Sequence, residues 1–243
     1  MGNVVCIIQA RMGSERLPGK VLKDLVGKPM LEHIVNRLYQ ATEIDTVVVA
    51  TSTKDIDNVI LEFCQQRGIQ VFRGSEKDVL DRYFQSARQY QSDVVIRVTA
   101  DCPLVDFEGI DVLIRELIHR QIDYVGFDST RLPRGLTGEV FTFETLKLTH
   151  ETAHHPYERE HVTIHMYEHP EKFRVAVLEP PSWMHRPNFR LTVDTQEDLD
   201  LIRRIYETIG SEIVDLRKVI ELMDKHPELV AINGHIEQKD PKK

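Results

Sequence analysis

Val4-Val5-Cys6-Ile7-Ile8, continuing into Gln9-Ala10-Arg11-Met12-Gly13-Ser14-Glu15-Arg16-Leu17-Pro18-Gly19-Lys20, decides how this chain reads. The five apolar residues form the near-continuous run expected of a parallel strand covered by helices on both faces. The stretch from Gln9 to Lys20 sits at that strand's carboxyl end, the edge at which open α/β sheets bind ligands. It offers exposed backbone N–H groups and three cations, Arg11, Arg16 and Lys20, which together neutralise phosphate charge. It reads as a triphosphate cradle. Counting excludes two familiar alternatives. Gly13 and Gly19 enclose five residues where a Walker A loop encloses four, and Lys20 precedes Val21 instead of Ser or Thr. There is no G-x-G-x-x-G either. Pro18 withdraws one N–H donor, so anion binding must lean on the three cations and not on an unbroken nest of amides. An ordinary surface turn is the bland alternative, and three spaced cations behind a buried strand weigh against it.

Outward from this loop the chain alternates strand and helix, the order a parallel doubly wound sheet requires. Residues 30–39 have helical apolar spacing and Thr46–Ala50 is a strand. A helix over 55–67 with Ile56, Val59, Ile60 and Phe63 inward leads to a short strand at 69–72, and another helix lies near 78–90. Strand 93–99, helix 109–120 and strand 122–127 complete one core. The alternation then loosens. Residues 128–138, with Pro133 and two glycines, read as a loop long enough to cover a site. Strands are expected at 139–143, 173–178 and 190–193, the second of them as an edge or a small accessory layer. A helix is expected near 157–167, and another starts at the Thr195/Asp198 capping pattern. A last helix spans 215–224. Residues 1–236 form one domain and 237–243 a frayed tail.

Composition bounds the function. The 243 residues are 41% hydrophobic and 29% charged with a net charge of −8, a globular composition whose acidity argues against nucleic-acid binding. No apolar stretch approaches the ~20 residues of a membrane span and no signal peptide is evident, which predicts a cytoplasmic protein. Cys6, Cys64 and Cys102 have no C-x-x-C spacing, so they read as buried thiols.

Asp101 lies just beyond the strand through Val98 and therefore at the same sheet edge as the cationic loop. Asp194 ends the strand beginning at Arg190. Mg²⁺ takes oxygen ligands and typically one or two carboxylates plus substrate phosphate, so these two are the metal candidates, against the common role of Asp as an N-cap. Arg97 interrupts an apolar strand, which calls for a substrate anion or a buried acid as its partner. Arg73, Arg131, Arg134, Arg186 and Arg190 are further candidates for a carboxylate ligand. His150, His154, His155, His161, His165 and His169 tempt a zinc reading. Val162 stands where a zincin needs Glu and no third ligand is identifiable, so these histidines read as a helix surface or a wall of the substrate site.

The ordered motifs carry a family resemblance. Ile8 to Ser14, Arg16 to Lys20, Gly27-Lys28-Pro29-Met30-Leu31, Arg73-Gly74-Ser75, Asp81-Arg82-Tyr83, Thr99 to Leu104, Gly138 to Phe141, Tyr157 to Thr163 and Arg190 to Thr195 resemble the cytidylyltransferases that activate acidic sugars. Within that family the likeness is to the spore coat polysaccharide branch. The resemblance implies a single-domain α/β fold, Rossmann-like and mostly parallel, of the nucleotide-diphospho-sugar transferase type with a small accessory β-layer or lid. It also implies transfer of CMP from CTP to an acidic sugar with release of pyrophosphate, Mg²⁺ on Asp101 and Asp194, and a homodimer. Arg11, Lys20 and Asp101 would carry catalysis. Ala10, Arg11, Gly13, Ser14, Arg16, Lys20, Thr51, Ser52 and Thr99 would bind the nucleotide, and Arg73, Arg97 and Glu139 the sugar. Two departures stand out: Thr99-Ala100-Asp101 where the Kdo enzymes have Gln-Gly-Asp, and Gly135-Leu136-Thr137-Gly138-Glu139 where spore coat relatives have Gly-Leu-Asp-Val-Glu. The rival readings are a glycosyltransferase on the same architecture, disfavoured because Pro103 prevents a D-x-D motif, and a nucleotide-binding partner protein without turnover.

Overall fold

The structure is a computed structural model that describes residues 2–238. In chain order it runs β1 (Val4–Gln9), a 3₁₀ turn (Lys20–Leu22), β2 (Asp24–Leu25), β3 (Lys28–Pro29), α1 (Met30–Leu38), β4 (Thr46–Ser52) and α2 (Asn58–Arg67). Then come β5 (Gln70–Gly74), α3 (Val79–Gln89), β6 (Val94–Thr99), α4 (Phe107–Arg120), β7 (Tyr124–Phe127), β8 (Glu139–Thr142) and α5 (Phe143–Thr152). The remainder is α6 (Pro156–His161), α7 (Ile164–Glu168), β9 (Val175–Leu178), α8 (Gln196–Ile209), α9 (Leu216–Lys225) and α10 (Pro227–Asn233).

Seven strands form one sheet in the order β5-β4-β1-β6-β8-β7-β9. β8 is antiparallel to both of its neighbours, and the other pairings are parallel. The apolar run of β1 therefore occupies an interior position, with Val4 to Ile8 buried. Register sets the site: Gln9 lies opposite Thr99 of β6 and Ala50 of β4, so the loop after β1 and Asp101 leave the sheet side by side. One face is packed by Leu31, Ile34, Ile60, Leu113 and Ile114, the other by Leu80, Tyr83, Leu146 and Met166. A third cluster joins Leu17, Leu25, Leu104 and Leu191 to α8 and α9, tying the cationic loop to the carboxyl-terminal helices.

Several sequence expectations shift. Ile56 and Val59 are exposed, and only the Ile60 and Phe63 side of that helix packs inward. Residues 143–152 form a helix that periodicity does not reveal. The helix expected over 157–167 is two helices, broken at Val162, a buried β-branched residue at φ 62. β9 takes the edge position, parallel to β7. Arg190–Val193 is not a strand: Arg190 makes an isolated bridge to Arg134, and the chain continues irregularly. The 128–138 segment is not a free cover, because Leu132 and Leu136 are buried in the third cluster. Gly135 adopts φ +97 against the backbone of Leu191 and Thr192, where a Cβ would lie 2.6 Å from the Thr192 nitrogen. Of the expected frayed tail, residues 239–243 lie outside the described residues, whereas Gln238 accepts a hydrogen bond from Arg190. α10 has no counterpart among the elements expected from sequence.

Candidate active site

A cavity of about 510 Å³ opens at the carboxyl ends of β1 and β6. Its wall comprises the loop after β1 (Gln9, Arg11, Ser14, Glu15, Arg16, Lys20, Val21), the end of β6 (Thr99, Ala100, Asp101), Glu160 and His161 of α6, Asp194 and Gln238.

At its floor is Lys20. Gly19, at φ 68, ends the loop in the left-handed conformation that glycine tolerates, and the 3₁₀ turn then starts at Lys20. The Lys20 ammonium donates to Asp101 Oδ2 at 3.1 Å, Asp194 Oδ1 at 2.8 Å and the Val193 carbonyl at 2.8 Å. Burial works against its charge, but the two aspartates outweigh burial and raise its pKa above the ordinary lysine value. The second Asp194 oxygen is met by Arg16 at 2.9 Å and Arg190 at 2.7 Å. Burial alone would push the Asp194 carboxyl up, yet Lys20, Arg16 and Arg190 hold it below the usual range. Asp101 Oδ1 accepts from Thr99 Oγ1 at 2.5 Å. Two carboxylates 93 positions apart thus converge on one ammonium.

The loop is held from behind. The Ser14 and Gly19 amides both donate to the Met12 carbonyl at 2.9 Å. The Met12 amide donates to buried Asp57 at 2.7 Å, and the Ser52 hydroxyl donates to the other Asp57 oxygen. Asp194 is supported by Asp198, whose carboxylate accepts from the amides of Asp194 and Thr195, from the Arg190 guanidinium and from Asn233. The Thr195/Asp198 capping box therefore starts α8 and also fixes the peptide that carries Asp194.

Of the nucleotide, sugar and metal residues proposed from sequence, Arg11, Ser14, Arg16, Lys20, Thr99, Asp101 and Asp194 line this cavity. The rest do not. Ala10 is buried with its amide on the Ala50 carbonyl, and Gly13 lies outside the lining. Thr51 and Ser52 are fully buried inside β4; Ser52 reaches the loop only through Asp57. Arg73 donates through Nε and Nη2 to the carbonyls of Ser52 and Lys54, which stabilises a turn, and it lies outside the cavity lining. Arg97 and Glu139 pair with each other at 2.6 Å, and Glu139 also accepts from Tyr124 at 2.7 Å and Thr163 at 2.9 Å. Arg97 thus takes the second of its two anticipated partners, an acid of the protein, here half-buried. Burial opposes its charge, but Glu139 prevails and raises its pKa. Arg131 and Arg186 are paired with surface acids.

Sequence reading misses Asp57, Glu160 and Gln238, sees Asp198 only as a cap and Gln9 only as the start of the cationic stretch, and names His161 only among six histidines of a helix surface or substrate-site wall; His161 lies in the cavity lining. The structure also supplies the third group absent from the histidine pattern: Glu158, His165 and His169 gather with their polar atoms within 4.8 Å. Both His165 nitrogens are already engaged, with Glu158 at 2.8 Å and Thr152 at 2.9 Å, so this cluster closes on itself and ties α6 to α5 and α7.

A mostly parallel sheet whose carboxyl edge presents three cations and two carboxylates around one cavity has the fold and charge that a nucleotidyltransferase needs. The cytidylyltransferase family model matches residues 5–221. The chain is 37% identical over 234 residues to spore coat polysaccharide biosynthesis protein SpsF of Bacillus subtilis, covering 94% of this chain and 97% of the relative. It is 29% identical over 182 residues to the 3-deoxy-manno-octulosonate cytidylyltransferase of Anaeromyxobacter dehalogenans, covering 69% and 74%. A solved cytidylyltransferase from Leptospira borgpetersenii superposes with a TM-score of 0.89 at 31% identity, covering 99% of this chain and 100% of that one. The chain belongs to the cytidylyltransferase family, and among its described residues no helix is long and apolar enough to cross a membrane.

Proposed function

We propose that this enzyme transfers CMP from CTP to a hydroxyl of an acidic sugar, releasing pyrophosphate, and that the product is a donor for surface or spore coat polysaccharide. The carrying observation is the convergence of Lys20, Arg16, Asp101 and Asp194 at one cavity. The acidic sugar and the polysaccharide role are supported by the names of the relatives.

Arg11, exposed at the mouth, and Arg16 and Lys20 below it face the triphosphate and neutralise charge that grows on the β- and γ-phosphates as pyrophosphate departs. Binding energy spent on that cavity also orients the α-phosphorus, which is where most of the acceleration of a transfer without a covalent protein intermediate arises. Two carboxylates with Thr99 beside them form a hard oxygen set of the kind Mg²⁺ accepts, so Asp101 and Asp194 would hold the ion. Bound Mg²⁺ supplies Lewis-acid stabilisation of phosphate charge.

The test is pyrophosphate release with CTP and Mg²⁺ over a panel containing 3-deoxy-manno-octulosonate, N-acetylneuraminate and neutral hexoses. Release with an acidic sugar, abolished by EDTA and restored by Mg²⁺, is expected. CTP binding without release for any sugar would sink the proposal and favour a partner protein without turnover.

A further inference from the structure

Attack on the α-phosphorus requires a group that removes the proton of the sugar hydroxyl, and neither carboxylate at the floor is free for it. Asp194 is engaged by Lys20, Arg16 and Arg190, and Asp101 by Lys20 and Thr99. The cavity lining offers a different group. His161, the last residue of α6, lines the cavity, and among the described residues its imidazole has no hydrogen-bond partner. Other histidines are committed: ring nitrogens of His33, His150, His165, His169, His185 and His226 sit on carbonyls or carboxylates.

The backbone beside it is strained. Val162 has φ 62 and ψ −60, and the Thr163 amide donates to the His161 carbonyl at 2.6 Å, a γ-turn of the rare positive-φ kind. A β-branched residue adopts that conformation only when its surroundings impose it. Here they do. The Val162 side chain is fully buried, and the Thr163 hydroxyl donates to Glu139, itself ion-paired with Arg97. The turn stops α6 directly after His161 and fixes that residue at the cavity wall. Strain of this kind, held in place by a partly buried ion pair and directed at one unpartnered side chain in the cavity, points to function at that side chain.

We propose that His161 is the general base for the attacking hydroxyl, an inference that rests on the cytidylyl-transfer reading. The hydroxyl proton passes to an unprotonated imidazole nitrogen as the sugar oxygen bonds to the α-phosphorus. The bond from that phosphorus to the bridging oxygen breaks, pyrophosphate leaves with the electron pair, and the imidazolium then returns its proton to water. The charged groups facing His161 are Arg97 of β6, Glu139 of β8 and Glu160 of its own helix, with Arg11 of the loop after β1 4.0 Å from Glu160. Burial and then Arg97 lower the imidazole pKa from its ordinary value, against the two glutamates, so the ring is neutral at pH 7 and able to accept a proton. The sequence motif Glu160-His161-Val162-Thr163 thereby gains a division of labour: one residue reacts and the next two hold it.

The single-turnover rate of CMP-sugar formation is measured against pH for wild type, H161Q and H161A, with CTP, Mg²⁺ and the best acidic sugar of the panel. CTP affinity and thermal midpoint are measured in parallel. Expected are a wild-type rate whose acidic limb lies on the acid side of the ordinary histidine value, about 6.5, and an H161Q rate lower by roughly 10²- to 10³-fold. The acidic limb should vanish, CTP affinity and melting should stay close to wild type, and added imidazole should partly restore H161A. An H161Q rate within about threefold of wild type, or a slowed variant that keeps the acidic limb unchanged, overturns the base assignment while leaving cytidylyl transfer intact. No turnover by wild type with any sugar overturns both.

Discussion

Replacing Asp198 with alanine should unfold this protein more readily and loosen the nucleotide site, although Asp198 lies outside the cavity lining. Its side chain is fully buried and accepts from Arg190 at 2.9 and 3.2 Å, from the Asp194 and Thr195 amides at 2.9 and 3.0 Å, and from Asn233 at 2.8 Å. Removing one partner of a buried ion pair costs about 3–5 kcal/mol, because the other charge is left without compensation. Arg190 keeps Asp194 at 2.7 Å and Gln238 at 2.9 Å, which places the loss at the lower end, about 3 kcal/mol. For a domain of this size each kcal/mol moves the midpoint by about 2–4 °C, so D198A should melt roughly 6–12 °C below wild type. D198N retains one acceptor oxygen and should lose about half as much. Differential scanning calorimetry reads the midpoint, and isothermal titration with CTP and Mg²⁺ reads the site, where weaker binding is expected because the Asp194 peptide is no longer held. A D198A midpoint within ~3 °C of wild type would refute the reasoning, since it would mean the Arg190 charge is relieved elsewhere.

The same geometry sets three other outcomes. K20M should lower kcat/KM by at least ~10²-fold, because it removes a preorganised cation from the developing pyrophosphate charge and leaves Asp101 and Asp194 facing each other; steady-state pyrophosphate release checks it. G135A should cost at least about 2 kcal/mol and weaken CTP binding, as the new Cβ meets the Thr192 backbone at 2.6 Å, and denaturant unfolding reads the loss. Burial pushes the Glu158 carboxyl up, but His165 and the His154 and His155 amides more than offset it and hold its folded pKa below the usual range. Its contribution to stability is therefore complete above the unfolded glutamate value, about 4.3, and lost as pH falls through the lower folded value. E158Q should flatten the melting-temperature profile on the acid side of that unfolded value.

Much of the fold is readable because burial on both faces writes itself into continuous apolar runs: β1, β4 and β6 lie near their expected places. The carboxyl-edge rule then brings Arg11, Lys20 and Asp101 together without any coordinate. The failures are of one kind. Thr51 and Ser52 stand at a strand end as Asp101 does, but register buries them and gives Ser52 to Asp57, and no local pattern distinguishes a strand end that opens from one that closes. Arg73 and Arg97 stand out in the sequence as charges needing partners, yet sequence cannot say whether the partner is a substrate or the protein itself. Asp194 is reached there through a strand that does not exist. Its position depends on Asp198 and on the Arg134–Arg190 bridge, contacts between distant segments that leave no periodic trace. What sets His161 apart from the other five histidines is hidden by a helix prediction that runs straight through Val162, because propensity contains no term for a turn imposed by tertiary packing.

Gln238 rests on Arg190 and forms part of the cavity rim, whereas Gly2 precedes β1 at the far, amino edge of the sheet. A group attached at Gln238 sits beside the cavity, and one attached at Gly2 lies at the opposite edge of the sheet. Purification handles and fluorescent reporters therefore belong at the amino end, and a dye attached near position 238 would serve as an optical gauge of nucleotide arrival.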